Sequence, residues 1–486
     1  MTDFRVEKDA LGERQVPREA YYGIHALRAA ENFPVSGLKP HRELLRAFGL
    51  VKQAAALANA AVGLLPAVKG EAIARAAAEF AAGRFEDQVI VDAYQGGAGT
   101  ATNMNVNEVI ANRALELLGR EKGDYAVIHP VEDVNLSQST NDVYPTALRV
   151  AAIKLVRDLS RAMADLQGAL QQKEKEFARV LKVGRTELQD AVPVTLGQEF
   201  AAWAEAAARD WWRLYKVEER LRQVNLGGTA VGTGLNASRR YAHAVIERLR
   251  ELTGFGLARA ENTVEATQNT DVFVEVSGLV KAAAVNLAKI AADLRFLSSG
   301  PRAGIGEIRV PPVQVGSSIM PGKVNPVIPE MVTQVAFQVT ANDLAVVQAC
   351  AAGNLELNPF LPLVAQNLLT SLEMLARAAG ILAARCISGI EADVQRCREL
   401  LDRSYAMITA FVPYIGYEAA AEVVREAAAR GKKVEEVLVA RGVFTPEEVA
   451  AVTAPEEATT PGVAGLRYLI GREGAGSGAR RTGGGE

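Results

Sequence analysis

Residues Gly316 to Pro326 read GSSIMPGKVNP and place two hydroxyls (Ser317 and Ser318), a lysine (Lys323) and a carboxamide (Asn325) on one short loop. Glycine and proline let such a loop swing and then hold a shape. A generic surface loop of this length would rarely carry apolar Ile319 and Met320 beside those groups, so the functional reading is the stronger one. Small polar residues also cluster at Ser137–Asp142 (SQSTND) and Gly184–Asp190 (GRTELQD), each expected at the entrance to a long helix. The plain reading of both is helix capping, which needs one side chain. Four in succession, Ser139 to Asp142, exceed that need. Clustered hydroxyls, an amide and the N–H groups of a helix start make a receptor for a small carboxylate.

Two glycine-rich stretches, QGGAGT at Gln95–Thr100 and GGTAVGTG at Gly227–Gly234, superficially suggest phosphate cradles. Neither is followed by Gly-Lys-Ser/Thr or set between a strand and a helix with a downstream acid, so they read better as tight turns presenting N–H groups and hydroxyls. Thr100 ends the first. The four histidines, His25, His41, His129 and His243, are scattered without metal-ligand spacing, and for each an isolated surface or satisfied core position is the better reading. His25 and His129 lie near loop signals and keep a small chance of touching a site. No metal site is expected, and a Ser-His-Asp hydrolase is disfavoured.

The elements that must position these groups are helices. Leu148, Ala152, Leu155, Leu159, Met163, Leu166 and Leu170 recur at three- and four-residue steps with charges between them, which is one apolar stripe on a long amphipathic helix. Gln198–Val224, Thr263–Leu297, Met331–Ala351 and Leu361–Cys386 give four more long helices. Five alanine-rich helices can approach closely in a bundle, and helices this long would leave apolar stripes uncovered in a monomer, so self-association is expected. Past Glu391 the pattern shortens, with Thr445-Pro446-Glu447-Glu448 a helix start, because Thr caps and Pro fits the first turn. From Gly471 onward, GREGAGSGARRTGGGE has almost nothing to bury and is expected to be a flexible tail.

With 486 residues the chain is too long for one core, and a formal net charge of −3 implies no broad attraction to nucleic acid or acidic membranes. The mixed charges of Met1–Val16 are not a secretory signal, and no apolar run is long enough to be uninterrupted across a bilayer. Three cysteines, Cys350, Cys386 and Cys397, lack Cys-x-x-Cys spacing and suit a reducing compartment. A cytoplasmic protein is expected.

The loop GSSIMPGKVNP resembles the signature of the aspartase/fumarase superfamily, and the likeness extends well beyond it. SQSTND, GRTELQDAVPVTLGQEF at Gly184–Phe200, GGTAVGTGLN at Gly227–Asn236 and SSGPRAG at Ser298–Gly304 are similar to superfamily blocks in the same order, from about Phe4 to about Ile470. VPREAYYGIHALRAAENFPVSG at Val16–Gly37, QDAVP and ATQNTD resemble the aspartase branch, whereas GNLELNPFLP at Gly353–Pro362 opens more like fumarase. The resemblance implies an all-α, three-domain subunit: 1–141 mainly helical, 142–390 a central bundle of five long helices, and 391–470 a small helical domain. It further implies a homotetramer whose active sites each draw on three subunits.

The implied reaction is reversible, cofactor-independent loss of ammonia from L-aspartate to give fumarate through an enediolate. The alternatives are a class II type fumarate hydratase and, more weakly, an inactive helical scaffold. By the same resemblance Thr100, Ser139, Thr140 and Ser318 surround the β-carboxylate, and Thr186, Lys323 and Asn325 bind the α-carboxylate. Asn141 and Glu187 face the amino group, and Ser317 is the base. Glu187 departs from the pattern, since members usually carry His or Gln there; its charge would attract an ammonium and not a hydroxyl. Ser317 has no adjacent histidine to activate it. A closed loop with Lys323 and backbone N–H groups nearby would lower its pKa.

Overall fold

The computed structural model describes residues 3–473. The expected tail therefore lies outside the described residues from 474 on, and its first three residues close the last helix, Leu466–Glu473. Helices dominate, and the strands of the described residues form two-stranded pairings. The chain falls into two compact units. The first comprises Met1–Met163, Arg209–Leu287 and Thr333–Ala379; the second comprises Ala164–Ala208, Ala288–Val332 and the chain from Gly380 on.

The five long helices are Thr140–Glu176, Leu196–Leu221, Asp271–Leu297, Val327–Ala351 and Leu361–Arg385. All seven residues of the stripe from Leu148 to Leu170 are buried. The Thr140–Glu176 helix contains Pro145, which has no N–H to give the carbonyl of Asn141. Asn225 takes over, its Nδ2 donating to Asn141 O at 3.0 Å. A proline that would otherwise leave an orphaned acceptor is thus tolerated through a side chain distant in sequence.

Three expectations need correction. The helix read from Thr263 to Leu297 is broken into Thr263–Gln268 and Asp271–Leu297, with Asn269 extended between them. Asn and Thr compete with the helix for backbone partners, and here the Thr270 hydroxyl is held by Asn358 Nδ2 at 3.2 Å. Gly184–Asp190 does not enter a helix. It lies in an antiparallel hairpin, Leu181–Thr186 against Gln189–Thr195, and the next helix starts only at Leu196. Glu187 and Leu188 form the two-residue turn with φ of 53° and 64°. Positive φ at both centres matches the right-handed twist of the strands, although each non-glycine residue there costs roughly 1–2 kcal/mol. The Val327–Ala351 helix also begins four residues before the expected Met331, because Pro329 is tolerated in a first turn.

In the second unit Leu181 and Val183 of the hairpin enter the apolar core of the C-terminal helices, with Leu401, Phe411, Leu438 and Val452. Phe411 and Phe444 meet edge to face at 5.0 Å. Thr445 caps the Pro446–Val452 helix as its sequence predicts, in a reciprocal capping box with Glu448.

A buried charge cluster pins the hairpin from its other side. Glu307, fully buried, accepts from Lys182 at 2.9 Å and from both terminal nitrogens of Arg185 at 3.0 and 3.1 Å. Lys182, itself buried, also meets Glu199 at 2.6 Å. Removing one member of such a cluster leaves the others charged and unsatisfied. Glu307→Ala is expected to lose about 3 kcal/mol or more of stability, read as a lower urea midpoint; an unchanged midpoint would show that the cluster contributes nothing.

Candidate active site

In the first unit the structure gathers four of the expected residues. Thr100 is the first residue of the Thr100–Leu117 helix, exposed, with its hydroxyl donating to Gly97 O at 2.8 Å. Gly99 before it has φ +90°, and a Cβ there would fall 2.1 Å from the Tyr144 ring, so this helix start sits hard against the first turns of the Thr140–Glu176 helix. One turn beyond Thr100, Asn103 Nδ2 donates to Thr140 Oγ1 at 3.0 Å. Residues three apart share a helix face, so Thr100 and Thr140 belong to one neighbourhood. Ser139 Oγ accepts from Asn141 N at 3.2 Å, and Asn141 Nδ2 donates to Ala230 O at 2.7 Å. That bond leaves the Asn141 Oδ1 as the acceptor an ammonium requires.

Beneath this helix start lie two charged groups: Asp142, which the sequence reading took only as the end of a polar run, and Lys52, which it did not single out. Asp142 is fully buried and accepts from Ser139 N, Gly227 N and Thr229 N, each at 3.0 Å. Burial pushes its carboxyl up to about 6, against the pull of those donors and of Lys52. The glycine-rich loop at 227–234 therefore spends backbone N–H groups on an internal carboxylate and not on a phosphate. Lys52, also fully buried, donates to Asn135 Oδ1 at 2.8 Å and Gln138 Oε1 at 3.0 Å. Burial pulls its ammonium down to about 7, with Asp142 acting the other way. The signal for Lys52 was present: a lone cation among Phe48, Val51, Ala54 and Ala55, all buried.

In the second unit Ser317, Ser318, Lys323 and Asn325 share the expected loop. Asn325 Nδ2 donates to Gly316 O at 2.6 Å and closes the loop base, where a Cβ on Gly316 would sit 1.9 Å from Lys323 O. Only glycine fits there. Ser317 Oγ accepts from the backbone N–H groups of Ile319 and Met320 at 3.2 and 3.0 Å. Two donors converging on one oxygen favour its anionic form. Lys323 and Asn325 line a cavity of about 890 Å³ with Arg295, Ser298 and Arg309. Thr186 and Glu187 stand exposed at the hairpin tip, next to Arg185 on Glu307, and Glu307 is three residues from the start of the long loop at Val310.

His41 and His129 cap helical turns with their Nδ1 atoms, as satisfied structural histidines do. His25 lines a cavity of about 330 Å³ with Arg28, Phe33, Thr100 and Met104. Burial lowers its pKa. Among the described residues no three or more His, Cys, Asp or Glu are grouped to hold a metal ion, and no helix is long and apolar enough to cross a membrane.

Residues 12–341 match the family model described as Lyase, and residues 407–460 match that of the fumarase C C-terminus. An aspartate ammonia-lyase from a Bacillus species is 49% identical over 466 residues, covering 96% of this chain and 100% of that protein. A cobalt-bound crystal structure of fumarate lyase:delta crystallin from Brucella melitensis is 50% identical with a TM-score of 0.91, covering 94% of this chain and 100% of that one. Recombinant class II fumarase from Schistosoma mansoni shares the fold at a TM-score of 0.90 and 32% identity, with the same coverage.

Asp142 holds its proton more tightly folded than unfolded, where its value is 3.8, so its contribution makes stability fall as pH rises from about 4 to about 6 and then level off. Asp142→Asn removes that titration. The wild-type urea midpoint is expected to fall relative to that of the variant across this window and to keep a constant offset above it; parallel curves throughout would exclude titration of the buried carboxyl.

Proposed function

The chain belongs to the lyase family of the aspartase/fumarase superfamily, and we propose that it removes ammonia reversibly from L-aspartate to give fumarate. The observation that carries the chemistry is the pair of backbone N–H groups on Ser317 Oγ. Taking a proton from carbon beside a carboxylate needs a base strong enough to work without histidine, and donors on its oxygen make a serine alkoxide accessible. The choice of amine substrate follows the relatives: 49% identity to an aspartate ammonia-lyase against 32% to a class II fumarase.

In this reading the Ser317 alkoxide takes the Cβ proton and becomes a hydroxyl, and the electron pair spreads onto the neighbouring carboxylate as an enediolate. Thr100, Ser139, Thr140 and Ser318 supply hydrogen bonds to that dianion, each worth about 3–4 kcal/mol where the charge develops. Thr186, Lys323 and Asn325 hold the other carboxylate. As the C–N bond breaks, the pair returns to form the double bond, and ammonia leaves past Asn141 and Glu187. The strained turn at Glu187 supports a role there, since such backbone cost tends to collect at working sites.

In this proposal the protein is a homotetramer whose active sites each draw on three subunits, and the long helices of 142–390 form its shared core. Exposed Val285, Phe337 and Leu344 on the long helices support self-association. A cytoplasmic location accords with the unpaired cysteines.

Purified protein is expected to form fumarate from aspartate with equimolar ammonia and none from malate, followed by absorbance; fumarate from malate alone would make it a hydratase, and none from either a silent scaffold. Ser317→Ala should lower kcat by on the order of a thousandfold with KM nearly kept, and near-normal kcat would remove Ser317 as the base. Glu187→Gln should raise the aspartate KM about fivefold, as an exposed charge contact of roughly 1 kcal/mol would; unchanged constants would refute the ammonium contact.

A further inference from the structure

We propose that Lys52 is a positioning residue: acting through the amides of Asn135 and Asn103, it fixes the Thr140 hydroxyl as a hydrogen-bond donor toward the substrate. The proposal rests on the reading above, in which Thr140 meets a carboxylate, and it follows from a chain of obligate donors.

In its charged form, which the nearby Asp142 favours and which predominates below about pH 7, Lys52 has three N–H bonds and no lone pair. Lys52 lies fully buried on the Arg42–Ala61 helix, so the two side-chain amides it touches must show it their oxygens, Asn135 Oδ1 at 2.8 Å and Gln138 Oε1 at 3.0 Å. The other end of the Asn135 amide donates to Gln138 O at 3.2 Å, which fixes the same orientation. With its oxygen so directed, Asn135 can be approached only by donors, and Asn103 and Asn107 present their Nδ2 atoms at 3.1 and 3.2 Å. The Oδ1 atoms of both are buried without a hydrogen-bond partner. Their orientation is thus imposed by Asn135 and not by anything their own oxygens gain.

The same Asn103 Nδ2 reaches Thr140 Oγ1 at 3.0 Å. A hydroxyl that accepts from Asn103 must send its own proton elsewhere, in the reading above to the substrate carboxylate. Were the Asn103 amide reversed, its oxygen would take the Thr140 proton, and the hydroxyl would offer an approaching carboxylate a lone pair. Two amides therefore carry the polarity of one buried cation to a hydroxyl that never touches it. A side chain at position 52 with no charge removes the shorter of the two bonds that orient the Asn135 amide and leaves only the one to the Gln138 carbonyl at 3.2 Å.

A double-mutant cycle on aspartate deamination tests this, with light scattering to compare assembly. Thr140→Ala and Lys52→Met are each expected to lower kcat about a hundredfold, the loss of one donor to a developing anion, with KM changed less. The double variant should be no more than about threefold slower than the slower single, because the second change removes what the first has already lost. Losses that multiply to about ten-thousandfold, or a Lys52→Met kcat within threefold of wild type, would overturn the chain. Should Lys52→Met fail to assemble, Asn103→Asp answers the same question. Its isosteric carboxylate accepts the Thr140 proton, so kcat should fall as far as in Thr140→Ala, and near wild-type turnover refutes the proposal. Wild-type turnover is scored first. Its absence overturns the aspartate reading alone, and the cycle is then read from succinate binding by calorimetry, where non-additive losses support the amide chain and additive losses overturn it.

Discussion

Moving a carboxylate out of water costs several kcal/mol unless fixed donors replace the solvent, and in each of the two units the candidate residues stand beside such a group. In the first unit Asp142 draws in the N–H groups of Ser139, Gly227 and Thr229. That requirement bends the glycine-rich loop against the start of the Thr140–Glu176 helix and brings Asn225 and Ala230 onto Asn141. In the second unit Glu307 draws in Lys182 and Arg185 and so ties the hairpin that carries Thr186 to the chain entering the Ser317 loop. Neither carboxylate is needed to touch substrate. Each makes the local backbone take the one shape that satisfies it.

The groups that face outward are of a different kind. They are hydroxyls, amides and backbone N–H groups, with a single lysine and the Glu187 carboxylate, and none of them is a strong base in water. Their power depends on arrangement: a serine oxygen under two N–H donors, and a threonine hydroxyl whose acceptor side is already filled by Asn103. Neutral donors placed in advance stabilise a charge as it forms without binding the ground state equally well, which is the condition for lowering a barrier. A site built this way tolerates no slack, and the buried charges beneath it supply the rigidity.

Glycine is used in the same economy of space. Gly99 lets a helix start press on Tyr144, and Gly316 lets the two limbs of the Ser317 loop touch backbone to backbone. Both positions lie beside residues with proposed roles, so close approach and chemistry coincide. Val285, Phe337 and Leu344 on the long helices, by contrast, stand exposed, which supports the proposed self-association.

Much of this was legible in the order of residues. The stripe from Leu148 to Leu170, the Thr445 cap and the polar crowding at Ser137–Asp142 are local signals, set by a 3.6-residue period or by one side chain meeting an N–H three positions on, and each took its expected place. The superfamily motifs supplied the family and the roster of site residues. Four features were decided only by folding. Gly184–Asp190 became a hairpin tip, since polar residues that cap a helix also make a turn. The helix from Thr263 broke where Asn358, some ninety residues on, could hold Thr270. Pro145 survived inside a helix because Asn225 reached its orphaned carbonyl. Lys52 stayed a buried cation because Asn135 and Gln138 were folded beneath it. The physical reason is common to all four. A sequence declares which groups need a hydrogen-bond partner, but partners far along the chain are assigned only when tertiary packing brings them within 3 Å or so.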